Sequence, residues 1–556
     1  MKISTTGRAR TAAAAVAVVA TLTAWSAPSW TAASAAAPSH QQISGTGSSW
    51  SANAVNQWVA DVQSSGLQVV YTSNGSAQGR RDFANGNNDF AVSDIGYQGS
   101  DPKTHASDSS PTRPYAYLPI VAGGTAFPYQ INVAGRRITN LRLSGQTLVD
   151  IFTGKLRDWS DPRITADNNG RALPSKKIIP VVHSEGAGST AQFTQYLAKQ
   201  FPAQWTSFNQ NPNFTEYYPS ASFLVAQNGS DGVMNYVTSK SGDGTIGYDE
   251  YSYALNAGYP VAKILNSAGY YTEPSDSNVA VALTAAIINT DPRSPDYLLQ
   301  DLHNVYTNAQ PQTYALSSYS YGIIPTASND PRMSTAKRQT LADFLLYAVC
   351  GGQAAMGKVG YSPLPLNLVQ GSFDQVNKLK QADADVVITS GSPSGCDNPT
   401  FDKTNPSKNL LAETAPLPQA CDRQGAGPCV TGTGGARNTT NSVTPPSTSG
   451  GGSIAAKTGP TTRPAAGSGA TASSGTASAQ PGAAAAGDGG AVAATGPDLT
   501  RSDVDAAALQ ANPTQLAAAE RRGSNVPYAL AAVALLLLVL LTPPLVAHRL
   551  RSGSSL

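Results

Sequence analysis

Short apolar runs alternate with amphipathic stretches along the middle of this chain. Leu67, Val69, Val70 and Tyr71 form one such run, and 89–92, 178–182 and 245–248 form three more. Each has strand length and is bounded by polar or glycine-containing segments. Between them, Ala54, Val55, Trp58, Val59 and Val62 recur at the spacing of a single helix face, as do Phe193, Tyr196 and Leu197. Strands alternating with helices predict an α/β fold with largely parallel sheets. No internal repeat is visible.

The pattern changes at both ends. Lys2, Arg8 and Arg10 precede an apolar stretch over 12–25, and small residues gather through 33–37. That is the layout of a secretory signal peptide, placed at 1–37. Near the other end, 527–547 is apolar and uncharged, and its roughly 20 residues match the thickness of a bilayer. Arg549 and Arg551 follow, so 548–556 is expected in the cytoplasm and everything before the helix outside. The stretch 431–525 is rich in Ala, Gly, Ser, Thr and Pro and nearly devoid of aromatic residues. It has too little apolar surface to offset its ordering entropy and reads as a disordered linker. A coil of that length spans roughly 50–60 Å, which keeps the preceding head near the membrane.

That head, 41–430, holds nearly all the Trp, Tyr and Phe and is long enough for two domains. The net charge of +2 and the lack of a basic run in the head exclude nucleic acid as a partner. Cys350, Cys396, Cys421 and Cys429 are an even set in an exported segment. They predict two disulfides; three pairings are open, with Cys350–Cys396 and Cys421–Cys429 favoured because the second closes a short loop. No cysteine stands at the signal-peptide junction, so the C-terminal helix is the evident anchor.

Three strand-to-helix junctions share a chemistry: 45–50 (GTGSSW), 73–77 (SNGSA) and 184–190 (SEGAGST). Glycine lets backbone approach a ligand closely, and Ser or Thr adds hydroxyl donors. The unpaired N–H groups and dipole of a helix start favour an anion. Each junction alone is also what an ordinary helix cap looks like; an anion site requires that they converge. Catalysis finds little support. No H-E-x-x-H or metal-spaced His/Cys cluster occurs, and in the run Gly75-Ser76-Ala77-Gln78-Gly79 the serine stands one place early for a nucleophile elbow.

Several segments resemble the Pst-type phosphate-binding proteins of ABC transporters. They are 89–94 (DFAVSD), 143–159 (LSGQTLVDIFTGKLRDW), 246–254 (IGYDEYSYA), and Gly352-Gln353 with 360–365 (GYSPLP), in the family's order. The likeness covers about 43–369. It implies a type II periplasmic-binding fold in which two α/β lobes close about a hinge on one oxyanion, with no cofactor or metal. Lobe one is expected at 41–126 and 256–400 and lobe two at 127–255, with crossings near 127–132 and 254–258 and a cysteine-bearing tail at 401–430.

Position by position, the resemblance puts Ser49 and Trp50 on the family's Thr-Phe pair and Ser76 on its second-helix serine. Asp94 falls on the aspartate that accepts a phosphate proton. Gly188 and Ser189 fall on the Gly-Thr of the third helix start, and Glu185 on the aspartate that pairs with the site arginine. That arginine is His183 here, so a permanent planar cation is replaced by a conditional one. Glu185 either holds His183 protonated, or His183 is a plain strand-end histidine and the ligand differs. The resemblance implies an extracytoplasmic protein that binds phosphate or a related oxyanion and hands it to a permease and ATPase. A tethered oxyanion sensor or scavenging module is the rival reading, and a secreted hydrolase a third.

Overall fold

The computed structural model describes residues 39–100, 105, 107–389, 392–405 and 407–427. The signal peptide, the linker, the 527–547 segment and Cys429 lie outside the described residues. Among the described residues no helix is long and apolar enough to cross a membrane.

In chain order the elements that build the site are β1 (Ile43–Gly47), α1 (Ala52–Gln63), β2 (Val69–Thr72), α2 (Ser76–Ala84), β3 (Phe90–Ser93) and β4 (Tyr115–Ala126). Then come β5 (Tyr129–Gln130), β6 (Ile179–His183), α3 (Gly188–Gln200), β7 (Val225–Gln227), α4 (Gly229–Thr238) and β8 (Thr245–Gly247). The last are β9 (Asp249–Glu250), α5 (Tyr251–Ala257) and β10 (Ser317–Pro325). A six-stranded sheet runs β9-β4-β10-β3-β1-β2, and a four-stranded sheet runs β7-β6-β8-β5.

The periodicities are the cause. Ala54, Val55, Trp58 and Val62 are buried on α1, and the indole N–H of Trp58 donates to the Gly352 carbonyl at 3.1 Å. β10 is buried at every residue, and β4 at all but its first, because both faces of the sheet are covered. Those two long strands pair antiparallel from Ser317↔Gly124 to Pro325↔Tyr115. The larger sheet is therefore mixed and not largely parallel: only β1 with β2 and β1 with β3 are parallel in it. The smaller sheet keeps parallel pairs on both sides of β6.

The chain passes from the first sheet to the second between β4 and β5. It returns at Tyr248, where Asp249 and Glu250 pair with Ala126 and Thr125. This is earlier than the 254–258 expected. Gly258 is the left-handed cap of α5, its N–H bonded to the Ala254 and Leu255 carbonyls. The following segment runs back along the second half: Ala262 N–H donates to the Phe127 carbonyl, and Lys263–Leu265 pairs with Arg142–Leu143.

The tail packs on the head. Cys350 and Cys396 are bonded with Cα atoms 4.8 Å apart. Closing a loop of sequence separation 46 is worth about 4 kcal/mol on chain-entropy grounds. Further on, Asp422 is buried between Arg142 (2.8 Å) and Lys263 (2.7 Å). The Cys421–Cys429 pairing involves a residue outside the described ones.

Candidate functional site

The three glycine-rich junctions lie at the ends of β1, β2 and β6, and the structure brings them together around Asp94. Its buried carboxylate follows β3. Ser48 Oγ donates to Oδ2 at 2.7 Å and reaches Oδ1 at 3.0 Å, and Ser76 Oγ donates to Oδ2 at 3.1 Å. Ser48 also accepts the Ser51 N–H at 3.1 Å, so the residue at the start of α1 reaches Asp94. α2 can lie against the end of β1 only because Gly79 and Gly47 have no side chains: a Cβ on Gly79 would stand 2.4 Å from the Gly47 Cα. Burial pushes the Asp94 carboxyl up; the hydroxyls of Ser320, Ser48 and Ser76 and the charge of Arg80 act the other way without cancelling it.

Across the cleft, α3 begins at Gly188. A Cβ there would lie 1.8 Å from Asp94 Oδ2. The carboxylate of one half thus sits directly against the helix start of the other. The first N–H groups of α3 have no intrahelical acceptor and form the positive end of its dipole. Among the described residues Ser189 Oγ is buried without a hydrogen-bond partner. The Gln192 side chain donates to the Asp94 carbonyl at 2.8 Å, fixing the two halves in register.

His183 closes β6 and is buried. Its Nδ1 lies 2.8 Å from Glu185 Oε1, and Glu185 Oε2 accepts the Gly229 N–H at 3.0 Å, at the start of α4. Burial disfavours the imidazolium, but Glu185, with help from Asp249, outweighs it, and the His183 pKa is raised. For Glu185 burial works upward and the His183 charge and bonds work downward, and the carboxyl ends below its ordinary value. Both shifts favour the charged pair, and among the described residues Nε2 of His183 is buried without a hydrogen-bond partner. Beside it, burial raises Asp249 to about 6, against the charge of His183.

Not every residue expected at the site reaches it as expected. The indole of Trp50 turns into the core, edge-on to Tyr361 with centroids 5.9 Å apart and its ring against Gly123. The Ser49 hydroxyl meets Ser230 Oγ at 3.0 Å, so it is Ser48 that reaches Asp94. The Ala77 N–H at the start of α2 is taken by the Gly186 carbonyl at 3.2 Å. Arg80, Gln192, Ser230 and Asp249 escaped the sequence reading, and Ser48 entered it only as part of the 45–50 junction. Ser48 and Ser230 carried a signal, each being a serine in a glycine-bearing segment at a helix start; the others carried none. Among the described residues no cluster of His, Cys, Asp and Glu is placed to hold a metal ion.

Residues 32–351 match the family described as the PBP superfamily domain. Phosphate-binding protein PstS of Xylella fastidiosa is 30% identical over 331 residues, which is 59% of this chain and 83% of that protein. The PstS of Methanocaldococcus jannaschii is 28% identical over 351 residues, 62% of this chain and 88% of its own length. PstS 2 of Mycobacterium tuberculosis is 30% identical over 331 residues, 58% and 84% of the two chains. The chain belongs to the Pst-type phosphate-binding protein family. The family match stops before the second cysteine of the Cys350–Cys396 bond, so the tail that packs on the head lies beyond it.

Proposed function

We propose that the head captures a protonated phosphate ion in the cleft and delivers it to an ABC importer. The observation that carries this is the placement of Asp94. A buried carboxylate stands at the start of α3, with the unpartnered Nε2 of His183 and Oγ of Ser189 on the same side of the cleft as that helix. Helix-start N–H groups and neutral donors favour an oxyanion. A carboxylate among them accepts a hydrogen bond from a protonated oxyanion and repels one that has no proton to give. Hydrogen phosphate meets both demands; sulfate meets only the first. The phosphate-binding names of the relatives support the same ligand.

The ligand set we assign is the backbone of Ser49 and Trp50, the side chains of Ser76, Asp94, His183 and Ser189, and the N–H groups at Gly188 and Ser189, with Glu185 orienting His183. The segment carrying β1–β4 and the one carrying β5–β8 act as the two lobes and close on the ion. Export through 1–37 and anchoring through 527–547 would hold the head beside a membrane permease and its ATPase. Calorimetric titration of the full-length protein tests the reading. It should take up one phosphate per chain and bind sulfate at least about a hundredfold more weakly. Silence toward phosphate with clear uptake of another solute would end it.

A further inference from the structure

Arg80 has no part in the ligand set above, yet it is a cation wholly buried beside the cleft, with no exposed side-chain surface. It projects from α2, the helix whose first residue is Ser76. Its Nε donates to Asp108 Oδ1 at 3.0 Å and its Nη2 to Asp108 Oδ2 at 2.8 Å. Nη1 donates to Ser93 Oγ at 3.0 Å, one residue before Asp94. All of these belong to the half that carries Asp94. Nη2 also reaches across the cleft to Glu216 Oε1, at 2.6 Å.

Glu216 is held as part of the other half. Its carbonyl accepts the Ala187 N–H at 2.9 Å, immediately before Gly188. Its neighbour Thr215 exchanges two bonds with Thr194 of α3, at 2.6 and 3.0 Å. The next residues repeat the crossing, since Arg81 Nη1 donates to the Tyr217 hydroxyl at 3.1 Å. The ion pair therefore joins the helix that presents Ser76 to the segment that fixes the start of α3.

We propose that Arg80 and Glu216 form the latch that holds the two lobes shut, with Arg80 as a positioning residue for the anion site. Asp108 keeps the guanidinium satisfied within its own half when the lobes part, while Glu216 returns to water. The pair is thus made by closure and broken by opening, and Arg80 stays beside Asp94 throughout. Only the ligand consequence rests on the phosphate reading; the lobe-holding role stands on the ion pair itself.

The test uses the full-length protein, with Glu216→Gln as the main variant, Arg80→Lys as the conservative one, and Asp330→Asn as control. Asp330 pairs with Arg113 at 2.7 Å wholly within the half that carries Asp94. Without phosphate, Glu216→Gln should speed amide exchange in 75–79 and 186–190 by roughly tenfold, because the closed state loses the ion pair that favours it over the open one. With phosphate, its dissociation rate should rise by roughly tenfold while association stays within about twofold. Arg80→Lys should fall between Glu216→Gln and native. Asp330→Asn should lower the melting temperature and leave both readouts near native. Unchanged exchange at the two cleft segments in Glu216→Gln overturns the latch. Absence of phosphate uptake by the native protein defeats the phosphate reading instead, and the exchange measurement still decides the latch.

Discussion

Asp94 is partnered by Ser48 and Ser76, whereas across the cleft, among the described residues, Nε2 of His183 and Oγ of Ser189 are buried with no hydrogen-bond partner. The first face is preorganised: its acceptor has a fixed direction, and its cation, Arg80, is locked into ion pairs. The second face is unsatisfied. A buried donor without an acceptor costs about 1–3 kcal/mol, which a ligand restores on binding. The division of labour is physical. On the proposed reading, selectivity rests on Asp94 and its partners, and affinity on the donors across the cleft.

The largest effect should come from forcing the two faces apart. Gly188→Ala puts a methyl where Asp94 Oδ2 stands, and only displacement of α3 or of the carboxylate relieves it. Phosphate affinity by calorimetry should drop on the order of a hundredfold with a modest change in melting temperature. Retention of affinity within about threefold would mean the two faces do not meet on the ligand.

Asp94→Asn attacks the first face alone. The amide can donate where the carboxylate only accepts. Competition titrations should show the phosphate-to-sulfate preference falling by roughly tenfold or more, mostly through better sulfate binding. An unchanged ratio would move selectivity elsewhere.

His183→Arg attacks the second face. A permanent cation should tighten phosphate binding by up to about tenfold. The sign of the pH effect follows from the raised pKa of His183. The stabilising imidazolium is fully present below the ordinary histidine value of about 6.5 and is lost as pH rises through the higher folded value. Phosphate ionises over a similar range in both proteins, so the ratio of affinities reports the residue: the advantage of the Arg variant should grow with pH. A ratio flat from pH 6 to 9 would show that His183 does not change its charge at the site over that range.

The smallest effect concerns Asp249. Its folded pKa of about 6 lies above the ordinary aspartate range, so the folded state holds a proton that the unfolded state has released. That term erodes stability as pH rises from roughly 4 to 6. Asp249→Asn should remove the slope and be more stable above pH 6 by on the order of 1–2 kcal/mol, read from urea melts. Equal slopes in both proteins would show that Asp249 is ionised at ordinary pH.

How much of this was legible in the sequence follows the range of the interactions. The faces of α1 and α3 and the strands around Val69, Phe90 and Ile179 were legible because periodicity is local. The glycine-serine junctions were legible because close approach and capping act within a few residues. Arg80 looked like any helical arginine: its partners Asp108 and Glu216 are distant in sequence, and only the closed fold brings them to it. Trp50 was placed by position along the chain, which fixes its backbone but not the rotamer that turns the indole toward Tyr361. The crossing expected near 254–258 was set too late because the pairing of Asp249 and Glu250 with β4, which moves it to Tyr248, is a tertiary choice.

The most direct test of the central claim is a crystal structure of the protein grown with phosphate. The account predicts one phosphate between Asp94 and the start of α3, with one oxygen at hydrogen-bond distance from an Asp94 carboxylate oxygen and others meeting Ser189 Oγ, His183 Nε2 and the N–H groups at Gly188 and Ser189. A phosphate bound away from Asp94, with His183 Nε2 and Ser189 Oγ still unpaired, would contradict it.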